Sequence, residues 1–388
     1  MTFTARGLAA CLLVVATTGV AAAQDAETQG ITDKEIRIGM FGPFGGPAYL
    51  YGKISMNGAE AVFDKVNESG GVHGRKLVLV REDDGCRAEG AIGAVKKLAY
   101  ESKVFALMGG ACSNSTVAAR PEIERAGIPF ILNSATADSI TDPPAKNIFS
   151  TQTTGSGESR AQLDFAIKKG AKKIALVAMK DAWGMSRYTP LMKYLEDKNV
   201  KLVENLELAG DAVDATPQAL KLKASGADAV ILVLYPKPAA VMMRDALKLG
   251  YNPMWLGNST ISDLKAFGAQ VGLPGALDHF VTISSTRFDP SDPKLKAWDD
   301  RIKKLFPNDE LSPFNFYGLG SALVLVEVLN RVGPQPTRTK FLNELGKLKD
   351  FKSEAYFGPI TCNAPTSHQC NQNPGWFAWK NDKLVEIQ

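Results

Sequence analysis

The stretch Gly109-Gly110-Ala111-Cys112-Ser113-Asn114-Ser115-Thr116 gathers glycines and small hydroxyls between an apolar run and a segment of helical period. A helix starting there offers unpaired backbone N–H groups and the positive end of its dipole, with serine hydroxyls beside them, which suits a carboxylate. The same residues also fit a plain structural role, in which Ser113 or Ser115 is an N-cap. Asn133-Ser134-Ala135-Thr136 follows the next apolar run and carries the same two readings. Both clusters fall at the carboxyl ends of predicted strands, where open α/β sheets bind ligands.

Reaction chemistry is harder to find. The chain has no G-x-S-x-G elbow, Walker loop, H-E-x-x-H or C-x-x-C, and Gly42 to Gly46 lacks the spacing of a dinucleotide loop. Ser262-Asp263-Leu264-Lys265 fits S-x-x-K, a pattern so short that chance supplies it. His73, His279 and His368 are dispersed and form no metal spacing. No catalytic residue, metal or cofactor is expected.

Stepping along the chain from Glu35, short apolar runs alternate with longer stretches of helical period, the signal for βα units and a parallel sheet. In the first series the strands are Glu35 to Phe41, Lys76 to Val80, Val104 to Met108 and Ile128 to Leu132. The helix after the first strand carries Ala59, Val62, Phe63 and Val66 on one face and ends at Gly70-Gly71 and Gly74; others span Ala91 to Ala99 and Ser115 to Arg125. A second series has strands at Lys173 to Ala178, Lys201 to Leu206, Ala229 to Leu234 and Met254 to Leu256. Its helices lie near Asp164, Leu191, Gln218 and Val241, with Gly170, Gly226 and Gly250 placed to cap them. Two such series imply two lobes with a cleft between them. Beyond Val281 come helical stretches around Trp298, Leu323 and Leu342, then a cysteine loop and an aromatic strand, Trp376 to Trp379.

The first 23 residues read as a secretory leader. Arg6 supplies the positive region, Leu8 to Val20 the apolar core, and Ala21-Ala22-Ala23 the small residues before a cleavage site after Ala23. The apolar run is short of the roughly 20 residues that span a bilayer. Leu8-Ala9-Ala10-Cys11 is like a lipoprotein box but has almost no apolar core ahead of it, so Cys11 is read as part of the leader and not as a lipid anchor. The expected location is the periplasm.

Four cysteines then remain, Cys86, Cys112, Cys362 and Cys370, an even number in a chain bound for an oxidising compartment. Cys362 and Cys370 flank the polar loop 363–369, whose Pro365 favours a turn; that pairing leaves Cys86 with Cys112. With 45% hydrophobic and 22% charged residues the 388-residue chain is globular and long enough for two cores. Its formal charge of +4 falls to +3 once the leader with Arg6 is removed, and the basic residues are scattered. That argues against nucleic acid as a partner.

At these residues the sequence resembles the type I periplasmic binding proteins of the leucine/isoleucine/valine-binding family, which serve ABC importers. The marks are Gly46-Pro47 with Tyr51-Gly52, Gly58-Ala59-Glu60, Asn67 with Gly70-Gly71, Asp83-Asp84-Gly85-Cys86, Cys112-Ser113-Asn114-Ser115-Thr116 and Ser134-Ala135-Thr136, and the likeness runs from Ile36 to Trp379. The resemblance implies two Rossmann-like lobes joined by three crossing strands near Thr151, Ser284 and Asn373, closing on a ligand between them. The lobes would comprise residues 24–151 plus 285–372, and 152–284 plus 373–388. It likewise implies the Cys86–Cys112 bridge. It assigns carboxylate binding to Ser113, Ser134 and Thr136 and covering aromatics to Tyr51, Trp183 and Tyr235, although Trp183 and Tyr235 also fit core packing. An ABC permease is the implied partner of a monomer.

Where amino-acid binders of that family place an acid for the ligand's ammonium, this chain has Asn258-Ser259-Thr260. A buried, unpaired ammonium is costly. The expected ligand is therefore an aromatic or branched aliphatic carboxylate without an α-amino group, with Ser259 and Thr260 on the opposite wall. The alternative is an amino acid, with Asp263 as the acid.

Overall fold

The computed structural model describes residues 26–289, 291–381 and 383–387. The expected leader, its cleavage site and Cys11 lie outside the described residues.

In chain order the elements are β1 (Glu35–Gly42), α1 (Ser55–Glu68), β2 (Lys76–Asp83), α2 (Ala88–Lys96), β3 (Ala106–Gly109), α3 (Ser113–Ala126), β4 (Phe130–Leu132) and β5 (Ile148–Ser150). They continue with α4 (Gly155–Lys168), β6 (Ile174–Ala178), α5 (Ala182–Asp197), β7 (Glu204–Glu207), α6 (Thr216–Ser225), β8 (Ala229–Val233), α7 (Pro236–Lys248), β9 (Met254–Gly257), α8 (Leu264–Val271) and β10 (Phe280–Ser284). Last come α9 (Pro293–Leu305), α10 (Asn315–Val332), α11 (Arg338–Gly346), β11 (Gly375–Lys380) and β12 (Lys383–Ile387).

Two sheets result. The first is parallel throughout, in the order β2-β1-β3-β4-β5, and the second runs β12-β11-β10-β9-β8-β6-β7 with β11 and β12 antiparallel. Central strands such as β8, with all five residues buried, are continuous apolar runs because helices cover both faces. Leu319, Val328 and Phe341 from α10 and α11 pack into the same core as Ile38 and Met40 of β1, so the late helices belong with the first sheet. At the crossing of α1 and α10, a Cβ on Gly58 would lie 1.8 Å from the Asn315 carbonyl oxygen, and one on Gly318 would lie 1.8 Å from that of Ser55. Only glycine lets the two backbones approach so closely.

Some boundaries differ from the sequence reading. β7 starts at Glu204 and not Lys201, since the ladder to β6 begins there, and β4 starts after Pro129, which has no N–H to donate. α3 begins two residues earlier than expected, at Ser113. β5 and β12 were not foreseen, being short or half-buried. Gly170, Gly226 and Gly250 have φ of +87°, +66° and +67°, the left-handed conformation that stops a helix.

The chain passes between the sheets after β5, after β10 and before β11, and these passages are bonded to one another. The Asn371 side-chain amide donates to the Thr151 and Ser285 carbonyls, each at 3.0 Å, and the Thr153 N–H donates to Ser285 Oγ at 2.9 Å. Among the described residues no helix is long and apolar enough to cross a membrane.

Candidate functional site

All eight side chains singled out in the sequence, Tyr51, Ser113, Ser134, Thr136, Trp183, Tyr235, Ser259 and Thr260, line one cavity of about 510 Å³ between the sheets. A larger concavity of about 670 Å³ lies along α8 and the β11–β12 turn, but it is an open groove that none of the eight lines. The inter-sheet cavity has the aromatic walls and few directed polar atoms of a small-molecule site.

On the first-sheet side, a glycine turn delivers the hydroxyls. Gly109 has φ +106°, and a Cβ there would lie 2.4 Å from the Phe41 carbonyl oxygen, so this turn requires glycine. Cys112 is the N-cap of α3 and makes no side-chain capping bond, so neither serine is the cap. Ser113 sits at the first helical position, where the N–H groups have no intrahelical acceptor. Its Oγ accepts from the Thr136 N–H at 3.3 Å. Ser115 instead reaches Asp84 at 3.3 Å and the Cys112 carbonyl at 3.1 Å.

Cys86 is disulfide-bonded to Cys112, and Cys362 to Cys370. The first bridge ties the loop after β2 to the start of α3. Asp84, buried in that loop, accepts from the Cys86 N–H at 2.8 Å as well as from Ser115, and its burial raises the carboxyl pKa against the pull of those bonds.

Ser134 Oγ lies 3.2 Å from both the Tyr51 carbonyl and Asn133 Oδ1, so its one proton serves an internal acceptor. Thr136 Oγ1 accepts from Arg187 Nη2 at 2.5 Å. Arginine has no acceptor. The hydroxyl protons of Ser113 and Thr136 are therefore not needed by those two donors and remain to be offered to a ligand.

The second-sheet wall starts with Trp183, which is 3% exposed, stacks on Tyr235 at 4.2 Å and carries the Arg187 guanidinium 4.1 Å from its ring centre. Asp181 caps α5 by accepting from the Gly184 N–H at 2.7 Å and so fixes the Trp183 turn. Thr260 donates to Asn258 Oδ1 at 2.6 Å, while Asn258 donates to the Leu232 and Leu234 carbonyls, which makes Asn258 a structural brace of this loop. Asp263 Oδ1 caps α8 through the Ala266 N–H, and Oδ2 accepts from Ser312 at 3.2 Å. Ser262 donates to the Ser259 carbonyl at 2.7 Å, so the S-x-x-K match is a turn.

Several residues escaped the sequence reading. Arg187 and Glu158, 0% and 1% exposed, form a buried ion pair at 3.2 Å behind the Trp183 wall. Glu158 Oε2 also accepts from the Ser259 N–H at 3.4 Å. Arg187 stands one helical turn after Trp183, the only local signal for it. Phe314 and Tyr317 reach the cavity from the start of α10; Tyr317 donates to the Ser259 carbonyl at 3.0 Å, and Tyr51 reaches the Thr260 carbonyl at 3.4 Å. Burial pushes the Tyr317 phenol up to about 12, with Glu158 adding to it. Burial likewise raises the phenol pKa values of Tyr51 and Tyr235. No group of His, Cys, Asp and Glu among the described residues is arranged to hold a metal ion.

The sequence model of the periplasmic binding protein family matches residues 35–383. The Leu/Ile/Val-binding protein homolog 7 of Brucella abortus is 29% identical over 314 residues, covering 77% of each chain. Among solved structures, a branched-chain amino acid transporter substrate binding protein from Streptococcus pneumoniae in complex with isoleucine aligns with TM-score 0.76 and 22% identity over 91% of this chain and 100% of its own. A fatty acid ABC transporter substrate-binding protein from Thermomonospora curvata aligns with TM-score 0.77 and 19% identity over 93% of each chain. These structural likenesses carry the two-lobed α/β fold.

Proposed function

The chain belongs to the periplasmic binding protein family, and from that premise we propose that it is a periplasmic receptor of an ABC importer that captures a small carboxylate with an aromatic or branched aliphatic body. Lobes made of residues 24–151 plus 285–372 and 152–284 plus 373–388 close on the ligand about the three connections, and the closed monomer docks on its permease. The site residues bind and orient; none transforms the ligand.

One observation carries this reading. Ser113 and Thr136 have oxygens already filled by N–H donors, leaving their protons to point at an acceptor beside the start of α3. Ser134 lines the seat beside them, its own proton held by an internal acceptor. Tyr51, Trp183 and Tyr235 supply the apolar wall, and Ser259 and Thr260 the far side. Asp263 has structural work in capping α8 and accepting from Ser312, which accounts for its presence without a ligand ammonium.

A second reading, an α-amino acid, is favoured by Glu158, whose Oε1 is buried without a hydrogen-bond partner, and by the relatives' names. Calorimetry on ligand-stripped protein separates them with the pairs 3-phenylpropionate and phenylalanine, and 4-methylpentanoate and leucine. The deaminated acids should bind more tightly. Tighter binding of the amino acids, lost in Glu158→Gln or Asp263→Asn, would replace the first reading by the second.

A further inference from the structure

Two fully buried charges behind a binding wall are expensive to desolvate, and an apolar pair of similar volume would often hold such a fold as well. Arg187 and Glu158 form such a pair, and they are not symmetric in what they touch. Arg187 Nη2 spans from α5 of the second sheet to Thr136, in the loop after β4 of the first. Glu158 faces the Ser259 N–H within the second lobe. Arg187 Nε and Nη1 are buried and have no hydrogen-bond partner, so the guanidinium is under-used as a purely structural group. The guanidinium lies 4.1 Å from the Trp183 ring centre and close to Gly155, where a Cβ would lie 3.2 Å from Nη1.

We propose that Arg187 is the positioning residue of the carboxylate seat: it fills the Thr136 hydroxyl oxygen, turns that hydroxyl's proton toward the ligand, and places a buried positive charge one atom behind it. The inference rests on the carboxylate reading above and is indifferent to whether the ligand also bears an amino group. A hydroxyl that accepts from a cation is a stronger donor, and hydrogen bonds polarise one another in a low-dielectric site. Arg187 is four residues from Trp183 on α5, so the same helix face that shapes the apolar wall also sets the charge behind the polar end. Thr136 becomes the point at which ligand, first lobe and second lobe meet.

The test compares each acid with its own amide, using 3-phenylpropionate, 4-methylpentanoate and leucine as probes in calorimetry. Arg187→Met/Glu158→Gln and Arg187→Gln/Glu158→Gln remove both charges together, so neither is left buried alone. The first should lower the acid-to-amide affinity ratio at least roughly tenfold while amide affinity stays within about threefold, as expected when a charge-assisted bond is lost. Arg187→Gln keeps a donor for Thr136 and should fall between it and the wild type. Thr136→Val should lower the ratio similarly, and adding it to the Met variant should change little further. An unchanged ratio in either folded double variant, or in Thr136→Val, overturns the assignment of Arg187. A wild type that binds none of the acids, or binds the amides as tightly, overturns instead the carboxylate reading beneath it.

Discussion

The Thr136 backbone N–H donates to Ser113 Oγ at 3.3 Å, so a residue in the loop after β4 fixes the hydroxyl of the first residue of α3. Ser113→Ala therefore removes the proposed ligand donor and also orphans a buried N–H. A hydrogen bond to a charged acceptor contributes roughly 1.5 to 3 kcal/mol, so affinity for a carboxylate should fall about 10- to 150-fold. Stability should fall by about 1 to 3 kcal/mol, the cost of leaving a buried donor unsatisfied. Calorimetry beside thermal melting checks this; a lower melting temperature with unchanged affinity would reduce Ser113 to a brace for Thr136.

The two disulfides should separate stability from binding. Loop-closure entropy for the 26-residue separation of Cys86 and Cys112 predicts a loss of about 3.5 kcal/mol in the double alanine variant, against about 2.5 kcal/mol for the 8-residue separation of Cys362 and Cys370. Only the first bridge lines the cavity. Removing it should also weaken ligand binding, while removing Cys362–Cys370 should leave affinity intact. Urea titration and calorimetry on the two variants decide the matter, and equal effects on affinity would contradict the placement.

The architecture was legible because its strands are short apolar runs and its helices end at glycines that must adopt positive φ, as at Gly226 and Gly250. Ser113, Ser134 and Thr136 were legible for the same reason: each follows a strand end. The Arg187–Glu158 pair was not. The two are 29 residues apart, and charged side chains on helices ordinarily face water, so nothing local tells that the α4 and α5 starts bury them against each other. Phe314 and Tyr317 were hidden differently, since an apolar helix gives no sign of which core residues turn to a cavity. Ser115 was ambiguous until Asp84, distant in sequence, accounted for it.

Asp299 on α9 gives a pH prediction away from the site. It is 4% exposed, its Oδ1 has no hydrogen-bond partner, and burial pushes its carboxyl up to about 7, against the pull of Lys303 and Lys296. The folded state then holds this proton more tightly than the unfolded chain does. Its stabilising contribution is full below the unfolded pKa near 3.8 and is lost as pH rises to about 7. Asp299→Asn should stabilise the protein at pH 8 by about 1 to 3 kcal/mol and flatten the slope of stability between roughly pH 4 and 7. Urea midpoints at pH 4, 6 and 8 measure it; a variant with the wild-type slope would mean that Asp299 is ionised at little cost.

Tyr317 bonds across the two sheets. It stands in α10, packed on the first sheet, yet its hydroxyl donates to the Ser259 carbonyl in the loop after β9 of the second. Tyr51 makes a similar, longer reach to Thr260, and Ser312 reaches Asp263. Under the proposed closure such bonds form with the lobes together and favour the closed form, and the apparent affinity of a ligand held between lobes scales with the closed fraction. Tyr317→Phe keeps the ring and deletes one bond of this set. A neutral bond of about 0.5 to 1.5 kcal/mol predicts a roughly two- to twelvefold loss of affinity, appearing mainly as faster ligand release, since mutations in one interface chiefly alter dissociation. The same variant should show a larger radius of gyration by small-angle X-ray scattering at subsaturating ligand and the wild-type value at saturation. A release rate equal to wild type would mean that the Ser259 carbonyl is satisfied as well by Ser262, which already donates to it at 2.7 Å, and that closure does not depend on Tyr317.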